Sequence, residues 1–264
     1  MTDAPLVGPV PPPDLHVMTL NIRRPFPHLP RAHPDRWTNR RAEVRRLMAT
    51  EKPAVLAVQE AMPAQLEAVS AALGGRPWLG YGRDARLGGE RVALFIDQER
   101  LEVRSWDQLA LSSAPLVPGS RSWGSAYPRT AVIARLRDRA TGAEFTMVAT
   151  HLDVLSARAR MRGARMIAQQ LGDGPAILLG DANAPIGSAP FRELSALVDA
   201  WACADERLTP EWGTWANYRA PRLGPRIDWI LVSPGIRVLR AGVNAGAFAA
   251  SDHLPVQAVL RVPA

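Results

Sequence analysis

The chain has 264 residues and a formal net charge of +7, and Lys52 is its only lysine, so the positive charge is almost all arginine. That length suits one α/β domain with a core of its own, and the lone Cys203 excludes an intramolecular disulfide or a Cys-rich metal site and fits a reducing compartment. There is no apolar run of membrane-spanning length and no basic stretch leading into an apolar one at the start, so the expectation is a cytoplasmic monomer without stable membrane association.

Residues 1–14 are rich in proline and read as a flexible leader, with 15–264 as a single domain. The first predicted strand is His16–Ile22, followed by a helix over 37–50 with Val44, Leu47 and Met48 on one face and arginines on the other. A second strand, Ala54–Glu60, leads into a helix opening on Pro63, a favoured first helical position. Apolar runs then predict strands at Val92–Ile96, Thr130–Leu136 and Glu144–Thr150, with partial alternation over 101–111 adding a further candidate. Ser156 is placed to cap a helix over 156–171 whose apolar face runs through Met161, Met166, Ile167 and Leu171. The last strands are Ala176–Gly180, Arg226–Val232 and Pro255–Val262. Strands alternating with helical patterns indicate an α/β domain.

Polar residues close several of these strands. Asn21 ends the first and Glu60 the second, His151 follows the strand at 144–150, and Asp181 and Asn183 follow "AILLG". Asp228 lies within "RIDWIL", and "SDHLP" sets Asp252 and His253 before the last strand. Each has a plain reading taken singly: turn-forming Asn and Asp, a Glu at a helix N-terminus, packed or surface histidines, or Asp228 paired with Arg222 or Arg226. Strand ends on a rigid scaffold are also where sites are built, and here the same kind of chemistry recurs at several of them.

Taken in order, "VMTLNIR", "LAVQE", "THLD", "LLGDAN", "RIDWIL" and "SDHLP" resemble the motifs of the endonuclease/exonuclease/phosphatase superfamily, over about His16 to Val262. That superfamily includes DNase I-like nucleases, abasic-site endonucleases, sphingomyelinases, inositol polyphosphate phosphatases and the deadenylase/nocturnin branch. "WTNRR", "PGSRSWGSAYPR" and "ARLRDRATG" further resemble a bacterial subgroup of mostly unassigned substrate. The implied fold is a four-layer α/β sandwich of the DNase I-like type, with two mixed β-sheets face to face and helices outside.

The resemblance implies a hydrolase dependent on Mg2+ or Mn2+. Phosphate-ester hydrolysis needs a hard cation, an activated water and positive charge around phosphorus, and Mg2+ is satisfied by few carboxylates because it keeps several waters. By resemblance Glu60 is the principal metal ligand, Asn21 its companion, and Asp252 an outer contact or a ligand to a second ion. Asp181 is the candidate base, and Asn183, two residues on, points the same way if the strand continues. His253 contacts the phosphate and Asp228 orients it, while His151 is a second phosphate-contacting histidine at the leaving group and Asp153 supports its loop. Arg23 stands where abasic-site endonucleases place an acid, and is read, with Arg129, as a substrate-phosphate contact or a structural brace.

The leading reading is a nuclease acting on DNA or RNA, because the chain is basic. Arg40, Arg41, Arg45 and Arg46, with Arg158, Arg160, Arg162 and Arg165, form clusters suited to a polyanion or to a solvated helix face. The alternative is a hydrolase of a small phosphorylated molecule or phospholipid head group, of the inositol polyphosphate or sphingomyelin type, for which Ala245–Ala250 is a mildly apolar loop candidate. A third reading is a binding module that kept the fold without catalysis. Trp123, Trp212 and Trp215 are read as core residues or as platforms near the cleft.

Overall fold

The computed structural model describes residues 4–26 and 29–264. The first sheet contains β1 (Leu15–Asn21), β2 (Val55–Ala61), β3 (Trp78–Leu79) and β4 (Arg91–Ile96), and the second begins with β5 (Leu101–Ala110), β6 (Thr130–Asp138), β7 (Glu144–His151), β8 (Ala176–Asp181) and β9 (Val198–Asp199). The chain returns to the first sheet with β10 (Glu206–Arg207), adds β11 (Asp228–Val232) to the second, and finishes the first with β12 (Arg237–Val243) and β13 (Val256–Arg261). Strand order is β10-β12-β13-β1-β2-β4-β3 in one sheet and β5-β6-β7-β8-β11-β9 in the other, each with parallel and antiparallel neighbours.

The strands read as unbroken apolar runs because both of their faces are covered. In β1, Leu15 and Val17 join the core between the sheets, whereas Met18 and Leu20 pack outward with Val44, Leu47 and Met48 of α1 (Trp37–Glu51) and Leu66 and Val69 of α2 (Pro63–Ala72). In β8, Ile177 and Leu179 point inward, and Leu178 packs outward with Ala164 and Ile167 of α3 (Ala157–Ala168). Two short helices, α4 (Ala189–Glu193) and α5 (Ala200–Cys203), complete the set. The layers are therefore helix, sheet, sheet, helix, as expected. Ser156 caps α3, its Oγ accepting the Ala159 N–H at 3.1 Å, and Pro63 opens α2. Among the described residues no helix is long and apolar enough to cross a membrane.

The structure departs from the sequence reading in several places, among them the two-residue strands β3, β9 and β10, which are too short to show a period. Strand β12 was not anticipated: a register shift between Val238 and Arg240 breaks its period-two pattern, so its inward residues do not alternate cleanly. The segment Ala245–Ala250 is no docking loop, since Ala247 and Ala250 are buried in the cluster beneath α1.

Within the segment read as a leader, the N–H groups of Leu6, Val7 and Gly8 donate to the Glu51 carboxylate at 2.7, 3.1 and 3.0 Å. The Gly8 carbonyl accepts from Nδ1 of the buried His16 at 2.9 Å, and His16 Nε2 faces the Gln257 side-chain amide at 3.0 Å. Burial outweighs the nearby Glu51 charge and lowers the His16 pKa from 6.5 to about 4. Below pH 6.5 the unfolded chain takes up this proton and the folded chain does not, so stability falls as pH drops toward 4, by roughly 3 kcal/mol in all. Urea unfolding from pH 7 to 4 should show this loss in the wild type and a shallower one in His16→Gln; parallel curves would contradict it.

Candidate active site

The register of the second sheet delivers three site residues in a row. His151 at the end of β7 lies beside Asp181 at the end of β8, and Asp181 lies beside Asp228 at the start of β11. Gly180 makes this possible: a Cβ there would stand 2.1 Å from the Thr150 carbonyl oxygen, so no other residue allows the two backbones this approach. The first sheet supplies the facing residues. Asn21, at the end of β1, donates from Nδ2 to Glu60 Oε1 at 3.1 Å and to Asp181 Oδ2 at 3.0 Å. His253, just before β13, donates from Nδ1 to Asp228 Oδ2 at 2.8 Å. The Asn21–Asp181 and His253–Asp228 bonds cross from one sheet to the other.

Local strain aims several of these side chains. The β2–β4 register shifts between Val58 and Ala61, and Glu60 within that bulge has φ 60°. Arg23 (φ 55°) and Asn183 (φ 48°) are also left-handed. Such conformations cost about 1–3 kcal/mol each in non-glycine residues and cluster at functional sites. Asn183 corrects the expectation that the strand continues: β8 stops at Asp181, and the turn puts the Asn183 N–H on Asp181 Oδ1 at 2.8 Å and its Nδ2 on the Leu152 carbonyl at 3.1 Å. The side chain nevertheless lines the cleft.

That cleft has a volume of about 560 Å3 and is lined by Arg23, Glu60, Arg129, His151, Asp181, Asn183, Asp252 and His253, with Asn21 and Asp228 behind it as their hydrogen-bond partners. All ten residues singled out from sequence meet here. Arg23 is both a brace and a wall. Its guanidinium bonds Asp35 at 3.1 and 3.3 Å and stands 3.5 Å from Asp252 and 3.9 Å from Glu60. Asp153 holds its loop by accepting from Ser125 and from the backbone of Leu155 and Ser156. The buried Arg129 Nε has no hydrogen-bond partner among the described residues, and Asp153 is 3.8 Å away. Arg129 is therefore a desolvated guanidinium in the wall of the cleft, a group whose chemistry suits an anion.

The charges are set by burial and neighbours. Burial works against charge on His253, but Asp228 and Asp181 outweigh it and lift its pKa to about 10. Burial, then the Asp228 charge, pushes Asp181 up to about 7 against the pull of His253. His151 goes the other way: burial, helped by Arg129 and Arg83, lowers it well below 6.5 and leaves it neutral, with Nε2 3.4 Å from Asp181 Oδ2. For Glu60, burial is overcome by the Asn21 hydrogen bond, the Arg24 N–H and Arg23, which keep it below the usual carboxylate range.

Two donor sets are candidates for a cation. Asp181, Asp228 and His253 have ligand atoms within 4.8 Å of one another, but an imidazolium with Nδ1 committed to Asp228 has no lone pair to offer. Glu60 and Asp252 present carboxylate oxygens at the cleft, with Glu60 held ionised, and suit a hard divalent ion that keeps waters, while Asn21 turns its Nδ2 toward Glu60 and its Oδ1 accepts the Arg23 N–H at 3.0 Å.

Some residues lining or bracing the cleft carried no sequence signal. Arg83, ion-paired with Glu90 at 2.6 Å, comes from a glycine-rich turn, and Asp35 is held by the Tyr218 hydroxyl at 2.8 Å from a distant loop. The arginine clusters lie elsewhere. Buried Arg40 donates to the carbonyls of Ile22 and Arg23, Arg46 pairs with Glu43, Arg160 bonds the Asp153 carbonyl, and Arg165 pairs with Glu193. None of the clustered arginines lines the cleft.

The profile of the Endonuclease/Exonuclease/phosphatase family matches residues 18–253. The chain belongs to the endonuclease/exonuclease/phosphatase family. Members of this family act on phosphoesters and are typically dependent on a divalent metal. Among solved structures, it is similar to a mannosyl-6-phosphatase from Bacteroides thetaiotaomicron (28% identity, TM-score 0.85, 93% of this chain and 99% of that one). An endonuclease/exonuclease/phosphatase family protein from the same organism is alike to the same degree (27%, TM-score 0.85, 94% of each chain). D. rerio TDP2, solved with a single-strand DNA product, shares the fold (16%, TM-score 0.70, 94% and 99%). No sequence among the curated proteins matches.

In this endonuclease/exonuclease/phosphatase domain the state of His253 depends most on Asp228. By NMR in EDTA, the His253 ring should remain protonated from pH 5 to 8, its pKa being about 10. Asp228→Asn removes the largest charge favouring the proton and should bring the titration into or below that window. An unmoved titration would separate Asp228 from the role.

Proposed function

We propose that this protein is a divalent-cation-dependent phosphoesterase that hydrolyses a compact phosphorylated molecule by in-line attack of water, with a sugar phosphate as the substrate class. One observation carries the reading: a buried carboxylate with pKa about 7, Asp181, shares a cleft with an imidazolium, His253, and with the buried guanidinium of Arg129. A base with that pKa suits proton removal from water at neutral pH.

Glu60 and Asp252, with Asn21 beside them, would hold the cation, Mg2+ or Mn2+, which would withdraw charge from a phosphate oxygen. Asp181, fixed by Asn21 and by the Asn183 N–H, orients the water and takes its proton. The charge that develops on the phosphoryl oxygens is met by His253 Nε2, which lies 3.9 Å from Asp181 and is not bonded to it, and by Arg129. Asp228 keeps the His253 ring charged and oriented. Neutral His151 stabilises the leaving oxygen as a hydrogen-bond donor.

A compact substrate is supported by a cleft of about 560 Å3 whose cations are matched by carboxylates, by the engagement of Arg40, Arg46, Arg160 and Arg165 elsewhere, and by the likeness to a mannosyl-6-phosphatase. Cleavage of DNA or RNA is the second reading, favoured by the net charge of +7.

Phosphate release from hexose 6-phosphates and cleavage of single- and double-stranded oligonucleotides should be compared with Mg2+, Mn2+ or EDTA. The expected result is cation-dependent hydrolysis of a sugar phosphate that Asp181→Asn lowers in kcat by about 10²–10⁴-fold. Turnover of oligonucleotides alone would move the assignment to a nuclease. Turnover insensitive to both EDTA and Asp181→Asn would overturn the proposal.

A further inference from the structure

Beside the cleft, on its His253 side, residues 211–225 double back as a flap. Its stem is closed by a bridge between Trp212 and Leu223 and by the Gly213 N–H on the Arg222 carbonyl at 2.8 Å. Its inner edge is laddered to the segment before β13: Trp215 pairs with His253, the Asn217 N–H donates to the Asp252 carbonyl at 2.8 Å, and the Leu254 N–H to the Thr214 carbonyl at 2.7 Å. The tip, turned by left-handed Asn217 and Tyr218, is tied down by the Tyr218–Asp35 bond.

A flap held this firmly still leaves two large apolar side chains in the open, Leu223 on the outer wall and Trp215 on the side facing the cleft. The Trp215 indole is 60% exposed although its backbone pairs with that of His253. Trp215 and Ile227 are common to the cleft and to a second concavity of about 360 Å3 in the flap. Arg219 and Arg222 also line that concavity, and their guanidinium groups are exposed and make no ion pair or hydrogen bond to any described residue. Among the described residues no carboxylate lines it, whereas Glu60, Glu90, Asp181 and Asp252 line the cleft alongside its arginines. An exposed indole between the two concavities is a stacking surface, and two free guanidinium groups beyond it form an anion site.

We infer that the flap concavity is a subsite for the part of the substrate beyond the scissile phosphate: a ring that stacks on Trp215 and bears a second anionic group held by Arg219 and Arg222. This rests on the reading of the cleft as the phosphoesterase centre. A sugar and a nucleoside both offer such a ring, and a second phosphate is the simplest second anion.

The test uses matched pairs, hexose 6-phosphate against hexose 1,6-bisphosphate and nucleoside 5′-monophosphate against nucleoside 3′,5′-bisphosphate, with Mg2+ in excess over ligand. Selectivity is read twice, as kcat/KM on the wild type and as Kd by calorimetry on Asp181→Asn. The subsite predicts a preference of about ten-fold or more for one bisphosphate, and the pair that shows it identifies the ring. Arg219→Gln/Arg222→Gln should reduce that ratio to about one, and Trp215→Ala should weaken both members of the preferred pair. Turnover with a ratio of one in both pairs, or a ratio the arginine variants leave intact, would overturn the subsite while sparing the phosphoesterase reading. Absence of cation-dependent turnover together with absence of binding would overturn both.

Discussion

At its functional end the sandwich is joined by two buried polar contacts, His253 to Asp228 and Asn21 to Asp181, each running from the first sheet to the second. A charged pair in such a place is not there for stability alone, because desolvation offsets much of its attraction, while removing one partner strands the other at a cost of about 3–5 kcal/mol. The Asp228 Oδ1 atom is buried with no hydrogen-bond partner among the described residues, and Oδ2 is given to the imidazole. The spacing of the sheets, the protonation of His253 and the raised pKa of Asp181 are therefore linked.

The backbone bears the cost of assembling this cluster. Gly180 lets β7 and β8 approach until His151 and Asp181 are neighbours, a bulge turns Glu60 into the cleft, and left-handed residues at Arg23 and Asn183 redirect the chain where strands end. Buried Arg40 steadies one of these turns by donating to the carbonyls of Ile22 and Arg23. An arginine that looks like part of a polyanion track is thus a structural clamp behind the site.

The architecture was legible because doubly covered strands read as apolar runs, and the site was legible because its residues stand at strand ends in a fixed order. Asn183 was misread in detail, since parity along β8 fails once the chain leaves the sheet. Strand β12 was hidden by its bulge. Arg83, Asp35 and Tyr218 reach the site from loops far away in sequence, and nothing local to them announces this. For Trp215 the sequence offered both core packing and a platform near the cleft and did not choose between them. Its exposure depends on the flap being laddered to the segment around His253, a contact no periodicity encodes.

The central claim is that His253 and Asp228 act as one unit across the sheets, and a double-mutant cycle on phosphate release tests it most directly. With His253→Gln, Asp228→Asn and the double variant, the account predicts strong non-additivity: the double variant loses about as much kcat/KM as the worse single one, a coupling of roughly 2 kcal/mol or more. Additive losses, within about 0.5 kcal/mol, would show two independent residues and contradict the account.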